Sequence, residues 1–201
     1  MPRLFTGLEI PSDIGLMLSL LRGGLRGARW IDPENYHITL RFIGDIDERM
    51  ADEVVAAFDR IRREPVTVRL DGLGSFGNGK PHAVWARVEP TPELMELQAE
   101  QERILQRLGL PPERRKYTPH LTLARCRASS TSDVARWLAE RGSFQAPSFT
   151  AGRFVLFSSR ASVGGGPYLV EEAYPLTGRH GAGGGHTEGR FPVDPLPGEH
   201  W

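Results

Sequence analysis

Tyr36-His37-Ile38-Thr39-Leu40-Arg41-Phe42-Ile43 alternates in the manner of a β-strand. Strict alternation puts Ile38, Leu40 and Phe42 on one face and His37, Thr39 and Arg41 on the other. The pattern returns as His120-Leu121-Thr122-Leu123-Ala124-Arg125-Cys126, and residues 37 and 120 lie 83 positions apart. Both copies read His-apolar-Thr-Leu, both sit on a predicted strand, and both are followed by a predicted helix. In each, histidine and threonine share one strand face while the apolar residues pack behind them.

Working outward from these two strands, residues 3–10 (RLFTGLEI) read as an opening strand stopped by Pro11. Ser12 is placed to cap a helix whose apolar-rich body covers 14–25. Residues 47–62 fit a helix, with Met50, Val54, Val55, Phe58 and Ile61 at helical spacing. Strands are predicted over 66–73 and 83–89, joined by a glycine-rich turn. Thr91 caps and Pro92 opens the next helix. A helix over 132–141 follows the second motif, and strand-like runs over 149–157 and 168–176 close the pattern. Irregular alternation of strands and helices predicts an α+β fold with antiparallel or mixed sheets. From residue 178 the chain runs GRHGAGGGHTEGRFPVDPLPGEHW, too poor in apolar side chains to offset the entropy of ordering. The expected organisation is one folded domain over 1–177 and a disordered tail over 178–201.

The 201 residues carry 25 basic and 25 acidic side chains, a formal net charge of zero. A domain gripping long nucleic acid through many phosphates needs a basic excess, whereas a short RNA end needs only a few local cations. Lys80 and Lys116 are the only lysines, so arginine supplies nearly all positive charge. Cys126 is the only cysteine, which excludes an intramolecular disulfide and a cysteine-rich metal site. The first residues lack the apolar core of a signal peptide, and no 18-residue apolar run could span a membrane. A monomeric cytoplasmic protein with no membrane contact is the expectation.

Read from the pattern alone, the two histidine-threonine strands are either satisfied, partly buried histidines or a shared site for one kind of chemistry. Cleaving a phosphodiester needs a base to activate the attacking oxygen and an acid to protonate the departing one. Imidazole titrates near neutrality, so one ring can be neutral while the other is charged. Thr39 and Thr122 would donate hydrogen bonds to the non-bridging phosphate oxygens as charge develops there. Two copies facing across a cleft would supply base, acid and oxyanion support with no metal and no cofactor. Neither motif has a nearby second ligand of the His-x-x-x-His or Cys-x-x-Cys type that a metallohydrolase would use.

The two units resemble the signature of the two-histidine phosphoesterase superfamily, and most closely its RNA 2′,3′-cyclic phosphodiesterase branch, also called 2′-5′ RNA ligases. The resemblance covers residues 3 to about 176. It takes in Arg3-Leu4-Phe5, the first motif from Asn35 to Gly44, Leu73-Gly74-Ser75-Phe76 and Val84-Trp85. It continues through Thr118-Pro119-His120-Leu121-Thr122-Leu123-Ala124-Arg125 and Leu156-Phe157-Ser158-Ser159. It implies a bilobal fold with pseudo-twofold symmetry, each lobe placing one motif on the wall of a central cleft. It also implies hydrolysis of a 2′,3′-cyclic phosphate on RNA ends to a 2′-phosphate, and in some members joining or cleavage of 2′,5′ linkages. His37 and His120 would be catalytic, with His120 the base that activates water and His37 the acid. Thr39, Thr122 and Arg125 would hold phosphate. Strict alternation sends Arg125 to the face away from His120, so that role requires a twist or bulge at the strand end.

Other stretches read as structural. Residues 74–80 (GSFGNGK) match the start of a phosphate-binding loop, but Pro81 stands where Ser or Thr should hold magnesium and a strand follows instead of a helix. A hairpin loop is predicted there. His82 is expected to face solvent, and Cys126 to be a buried small apolar residue. Phe5 and Tyr36, with Trp30 and Tyr117, flank the motifs and are candidates for stacking on a nucleobase, against ordinary core or rim packing. Residues 158–166 are read either as a loop over the cleft carrying Arg160 or as a plain connection. His180, His186 and His200 fall in the tail. The readings set beside RNA-end hydrolysis are a phosphodiesterase for small cyclic nucleotides or 2′,5′-oligonucleotides, and a non-catalytic RNA-end binding module.

Overall fold

In chain order the elements are β1 (Arg3–Glu9), α1 (Ser12–Ser19), β2 (Ala28–Trp30), β3 (His37–Asp45), α2 (Glu48–Phe58), β4 (Val66–Val68), β5 (Leu70–Phe76), β6 (Ala83–Val88), α3 (Pro92–Arg107), β7 (His120–Cys126), α4 (Thr131–Arg141), β8 (Phe149–Ala151), β9 (Arg153–Ser159) and β10 (Tyr168–Pro175). The structure, a computed structural model, describes residues 3–77, 79–159 and 166–178. The strands form an eight-stranded sheet in the order β10-β9-β1-β3-β7-β6-β5, with β2 alongside β7, and a separate β4–β8 ribbon. Every registered pair is antiparallel.

The two motif strands meet at the midline of the large sheet, where Ile38 pairs with Leu121. In the small ribbon Thr67 pairs with Thr150. Both pairs are separated by 83 residues, the spacing of the two histidines. The same shift carries α2 onto α4 and β5 onto β9, so a twofold relation runs through both pairs. Each half of the chain gives a seven-residue strand to the other half: β5 lies against β6, and β9 against β1. The lobes are therefore β10-β9-β1-β3 and β7-β6-β5, joined edge to edge at the motifs.

Helix starts follow the local sequence. The Asp47 carboxylate accepts from the Met50 amide at 2.8 Å, and 83 residues later the Ser130 hydroxyl accepts from the Asp133 amide at 3.1 Å. Thr91 is the cap residue of α3 but its side chain makes no capping bond; Pro92 at the first helical position opens the helix. Helix α1 begins at Ser12 after Pro11 and stops at Ser19, shorter than the apolar run over 14–25 predicts. Gly23 and Gly24 take φ of 97° and 70°, a left-handed turn that sends the chain away.

Two predicted strands are each two. The run over 66–73 breaks at Arg69 and that over 149–157 at Gly152, where the chain passes from the ribbon into the large sheet. Burial continues in period two through the first break (Val66, Val68 and Leu70 are all buried), so alternation conceals the change of partner. Behind the motifs, Ile38 and Leu121 are 0% exposed, and Leu40 and Leu123 are equally enclosed. Burying such a side chain stabilises by about 1.5–3 kcal/mol each, which fixes the register that leaves histidine and threonine on the opposite face. The folded chain is followed to Gly178, whose amide donates to the Arg63 carbonyl at 3.0 Å. The tail from 179 onward lies outside the described residues.

Candidate active site

Continuing the register from the Ile38–Leu121 pair sets His37 opposite Thr122 and Thr39 opposite His120. All four sequence-predicted motif residues thus share one face at the joint between the lobes. Diagonal neighbours across two antiparallel strands stand roughly 7–8 Å apart, room for a phosphate between the imidazoles. The rings are held alike. His37 Nδ1 donates to the Asn35 carbonyl at 2.8 Å, and His120 Nδ1 donates to the Thr118 carbonyl at 2.7 Å. Carbonyls only accept, so each neutral ring carries its proton on Nδ1 and leaves the Nε2 lone pair free for proton transfer.

Each imidazole is backed by aromatic rings from the neighbouring strands. His37 touches Phe5 at 5.0 Å, Phe157 at 5.6 Å and Tyr168 at 4.9 Å between ring centroids. His120 meets Phe76 edge-on at 4.7 Å, with Trp85 at 6.0 Å. Burial among these rings pushes the His37 pKa down to about 4, with His120 and Arg125 lowering it further against the Asn35 bond. The His120 pKa is also lowered, by burial first and then by Arg125. Both rings are therefore neutral at pH 7 in the free protein.

The residues five positions past each histidine are not where strict alternation puts them. Along β7, Trp85 faces Thr122 but Val84 faces Ala124, so Leu123 is an extra residue. That bulge returns Arg125 to the histidine face, where it is exposed and lines the cleft. The bulge repeats in β3, where Gly7 faces Thr39 but Thr6 faces Arg41, making Leu40 the extra residue. Here the structure corrects the sequence reading. Arg41 turns inward and is 7% exposed, while Phe42, assigned to the core face, is 48% exposed and lines the cleft.

Buried Arg41 is satisfied on all sides. Its guanidinium pairs with Glu102 of α3 and donates to the Phe42 carbonyl and, at 2.6 Å, to the Pro111 carbonyl. Glu102 also accepts the Glu113 amide at 2.9 Å. A charge so enclosed is tolerated because each of its three nitrogens donates to a partner, one of them a carboxylate. The network fastens the segment after α3 to the edge of β3 beside the motif.

A cavity of about 820 Å³ opens on the His120 side of the joint, lined among others by Thr39, Phe42, Phe76, His82, His120 and Arg125. A smaller one, about 340 Å³, opens beside His37 and is lined by Glu9, Pro11, Asn35 and Tyr168. Phe5 and Tyr36, candidates for base stacking, are each 5% exposed. Phe5 forms the floor under His37, and neither offers a free ring face. Trp30 packs on Trp137 at 5.7 Å, and Tyr117 donates its hydroxyl to the Thr39 carbonyl at 3.0 Å. His82 is exposed at the cleft rim, and Cys126 is buried.

The 74–80 stretch belongs to the β5–β6 hairpin, Phe76 pairing with Ala83. Its first glycine serves packing, since a Cβ on Gly74 would stand 2.5 Å from the Trp85 ring that backs His120. Asn78, Arg160 and His180, His186 and His200 lie outside the described residues. Among the described residues no helix is long and apolar enough to cross a membrane, and no three His, Cys, Asp or Glu side chains are grouped to hold a metal ion.

The model of the LigT-like phosphoesterases matches this chain twice, over residues 8–86 and 87–168. The chain belongs to that family. The double match agrees with the 83-residue repeat, each segment holding one histidine motif. Among curated relatives of this LigT-like phosphoesterase, an RNA 2′,3′-cyclic phosphodiesterase of Aeropyrum pernix is 39% identical over 115 residues, 56% of this chain and 65% of that protein. One of Aquifex aeolicus is 30% identical over 155 residues, 75% of this chain and 82% of that protein. The crystal structure of TT0787 of Thermus thermophilus superposes with a TM-score of 0.75 at 25% identity, covering 89% of this chain and 100% of that one. E. coli LigT complexed with 3′-AMP shares the fold with a TM-score of 0.72 at 22% identity, covering 88% of this chain and 99% of that one. The α+β fold expected from the pattern of strands and helices, with the pseudo-twofold symmetry that the resemblance implies, is the fold of this LigT-like phosphoesterase.

Proposed function

We propose that the chain hydrolyses the 2′,3′-cyclic phosphodiester at an RNA 3′ end to a 2′-phosphate. The observation that supports this reading is the matched pair of imidazoles on neighbouring strands, each with its Nδ1 engaged by the carbonyl two residues before it. His120 takes a proton from water as its oxygen bonds to phosphorus. The P–O3′ bond breaks, and protonated His37 gives its proton to the departing 3′ oxygen. Thr39, Thr122 and Arg125 bear the charge on the non-bridging oxygens. Burial makes protonated His37 a ready proton donor and keeps His120 neutral and able to take a proton, which suits this division of labour. A 5′-hydroxyl entering in place of water gives a 2′,5′ linkage by the same steps.

Phe42 offers the aromatic face that Phe5 and Tyr36 lack, and takes the base of the terminal nucleotide. The names of the curated relatives support the substrate class. One chain supplies both histidines, so we take a cytoplasmic monomer as the working unit. The test is turnover of an oligonucleotide ending in a 2′,3′-cyclic phosphate, in EDTA, by the wild type and by His37→Ala and His120→Ala. Conversion to a 2′-phosphate by the wild type alone supports the reading. An RNA end that binds without turnover makes the chain a binding module instead, and loss of turnover in EDTA makes it a metallohydrolase.

A further inference from the structure

The large cavity has one wall that the reaction does not use. It is the segment between α3 and β7, where Glu113, Arg115, Lys116, Tyr117 and Thr118 line the space beside Phe42 and His120. This stretch is exposed but tied down on both sides of its cations. Arg41 holds the Pro111 carbonyl, Glu102 holds the Glu113 amide, and the Tyr117 hydroxyl bonds the Thr39 carbonyl inside the first motif. The Glu113 carboxylate accepts the Arg115 backbone amide at 3.0 Å, which fixes the turn. The Arg115 and Lys116 side chains have no carboxylate partner among the described residues.

A 2′,3′-cyclic mononucleotide needs one phosphate site, and Arg125 with the two threonines already serves it. A further pair of cations on a fastened wall, beside the exposed ring of Phe42, matches the next phosphates of a strand whose last base lies on that ring. The cavity, about 820 Å³, is at the upper end of the range for small-molecule sites and holds more than a single nucleotide. On the reading of the site given above, the geometry points to Arg115 and Lys116 as the track for the RNA backbone immediately 5′ of the cyclic phosphate. They make the enzyme selective for oligonucleotide ends over cyclic mononucleotides. The zero net charge fits such a short, local grip.

The test compares kcat/KM for a 2′,3′-cyclic mononucleotide and for a hexanucleotide with the same cyclic end, at two salt concentrations. Single strands lose affinity with a slope of roughly −0.7 per neutralised phosphate, so two contacts cost about sevenfold over a fourfold rise in salt. The wild type should prefer the hexanucleotide at low salt and lose about that factor between about 50 and 200 mM. Arg115→Ala/Lys116→Ala should abolish the preference and its salt dependence while the mononucleotide is turned over at the wild-type rate. The charge-matched Arg103→Ala/Arg107→Ala, on exposed positions of α3, should keep both. Equal use of the two substrates by the wild type, or a preference that survives Arg115→Ala/Lys116→Ala, overturns the track. Absence of turnover on both substrates would instead overturn the reaction assigned to the site.

Discussion

Phe42 and Arg125 occupy the same place in the two halves of the molecule, each five residues past its histidine and each turned into the cleft by a one-residue bulge. One half thereby presents an aromatic ring and the other a guanidinium to the same cavity. A symmetric backbone carries an asymmetric pair of side chains, which suits the nucleotide proposed as substrate, with its flat base and charged phosphate.

Removing the ring should cost binding. Base stacking is worth about 1–3 kcal/mol per base, so Phe42→Ala should raise KM for a cyclic nucleotide roughly 5–150-fold. Phe42→Trp should restore it. A ribose 2′,3′-cyclic phosphate without a base should be turned over equally by wild type and variant, and a loss there would show that Phe42 acts on the chemistry instead.

On the proposed reaction, Arg125→Ala removes a charged hydrogen bond to phosphate and should cost about 1.5–3 kcal/mol, or roughly 10–150-fold in kcat/KM. It also removes a positive charge that lowers both imidazole pKa values, so both should rise. Titration of the two rings by NMR reads that shift directly. Arg125→Lys keeps the charge but not the fork, and should leave the pKa values low while recovering only part of the rate.

His37→Ala and His120→Ala should each lower turnover roughly 10²–10⁴-fold, and the double variant should be little worse than either single one. With one ring required charged and one neutral, kcat/KM should be bell-shaped. Because both pKa values are depressed, that of His37 to about 4, the maximum for the free enzyme should fall below pH 6.5. Steady-state kinetics across pH checks this.

The same shifts make a stability prediction of known sign. A histidine whose folded pKa lies below its unfolded value binds fewer protons when folded, so acid favours unfolding. The contribution of His37 is complete above about pH 6.5 and is lost as pH falls toward about 4. The thermal midpoint should drop across that window in the wild type and drop less in His37→Gln.

Breaking the Arg41–Glu102 pair should be costly because one buried charge is left alone. Glu102→Ala should destabilise by about 3–5 kcal/mol in denaturant unfolding. It should also loosen the segment from 111 to 117, which faster amide exchange there would show.

The four motif residues of the candidate site were legible as a group because alternation and repetition are both local properties of sequence. His-apolar-Thr-Leu fixes which side chains share a face, and its recurrence after 83 residues marks the second half. Lost to that reading was everything set by an insertion in the pairing. Nothing in Leu40 or Leu123 announces a bulge, since the extra residue is defined only against the partner strand, residues 4–7 or 83–86. Arg125 was recoverable from resemblance, whereas Phe42 was assigned inward because its apolar ring fits the core pattern. Arg41 and the backing by Phe76 and Trp85 were hidden likewise, resting on contacts between residues distant in sequence. The split at Arg69 was invisible because burial carries straight through a change of sheet.

The exchange of β5 and β9 between the halves ties each half to the other. A single copy of the repeat would own one imidazole and a strand with nowhere of its own to lie, and would be complete only beside a second copy. Two copies in one chain make that concentration-dependent encounter a property of one molecule. They also need not be identical. A pair of identical subunits must present the same side chain twice at the fifth position, while a fused chain is free to become Phe42 on one side and Arg125 on the other.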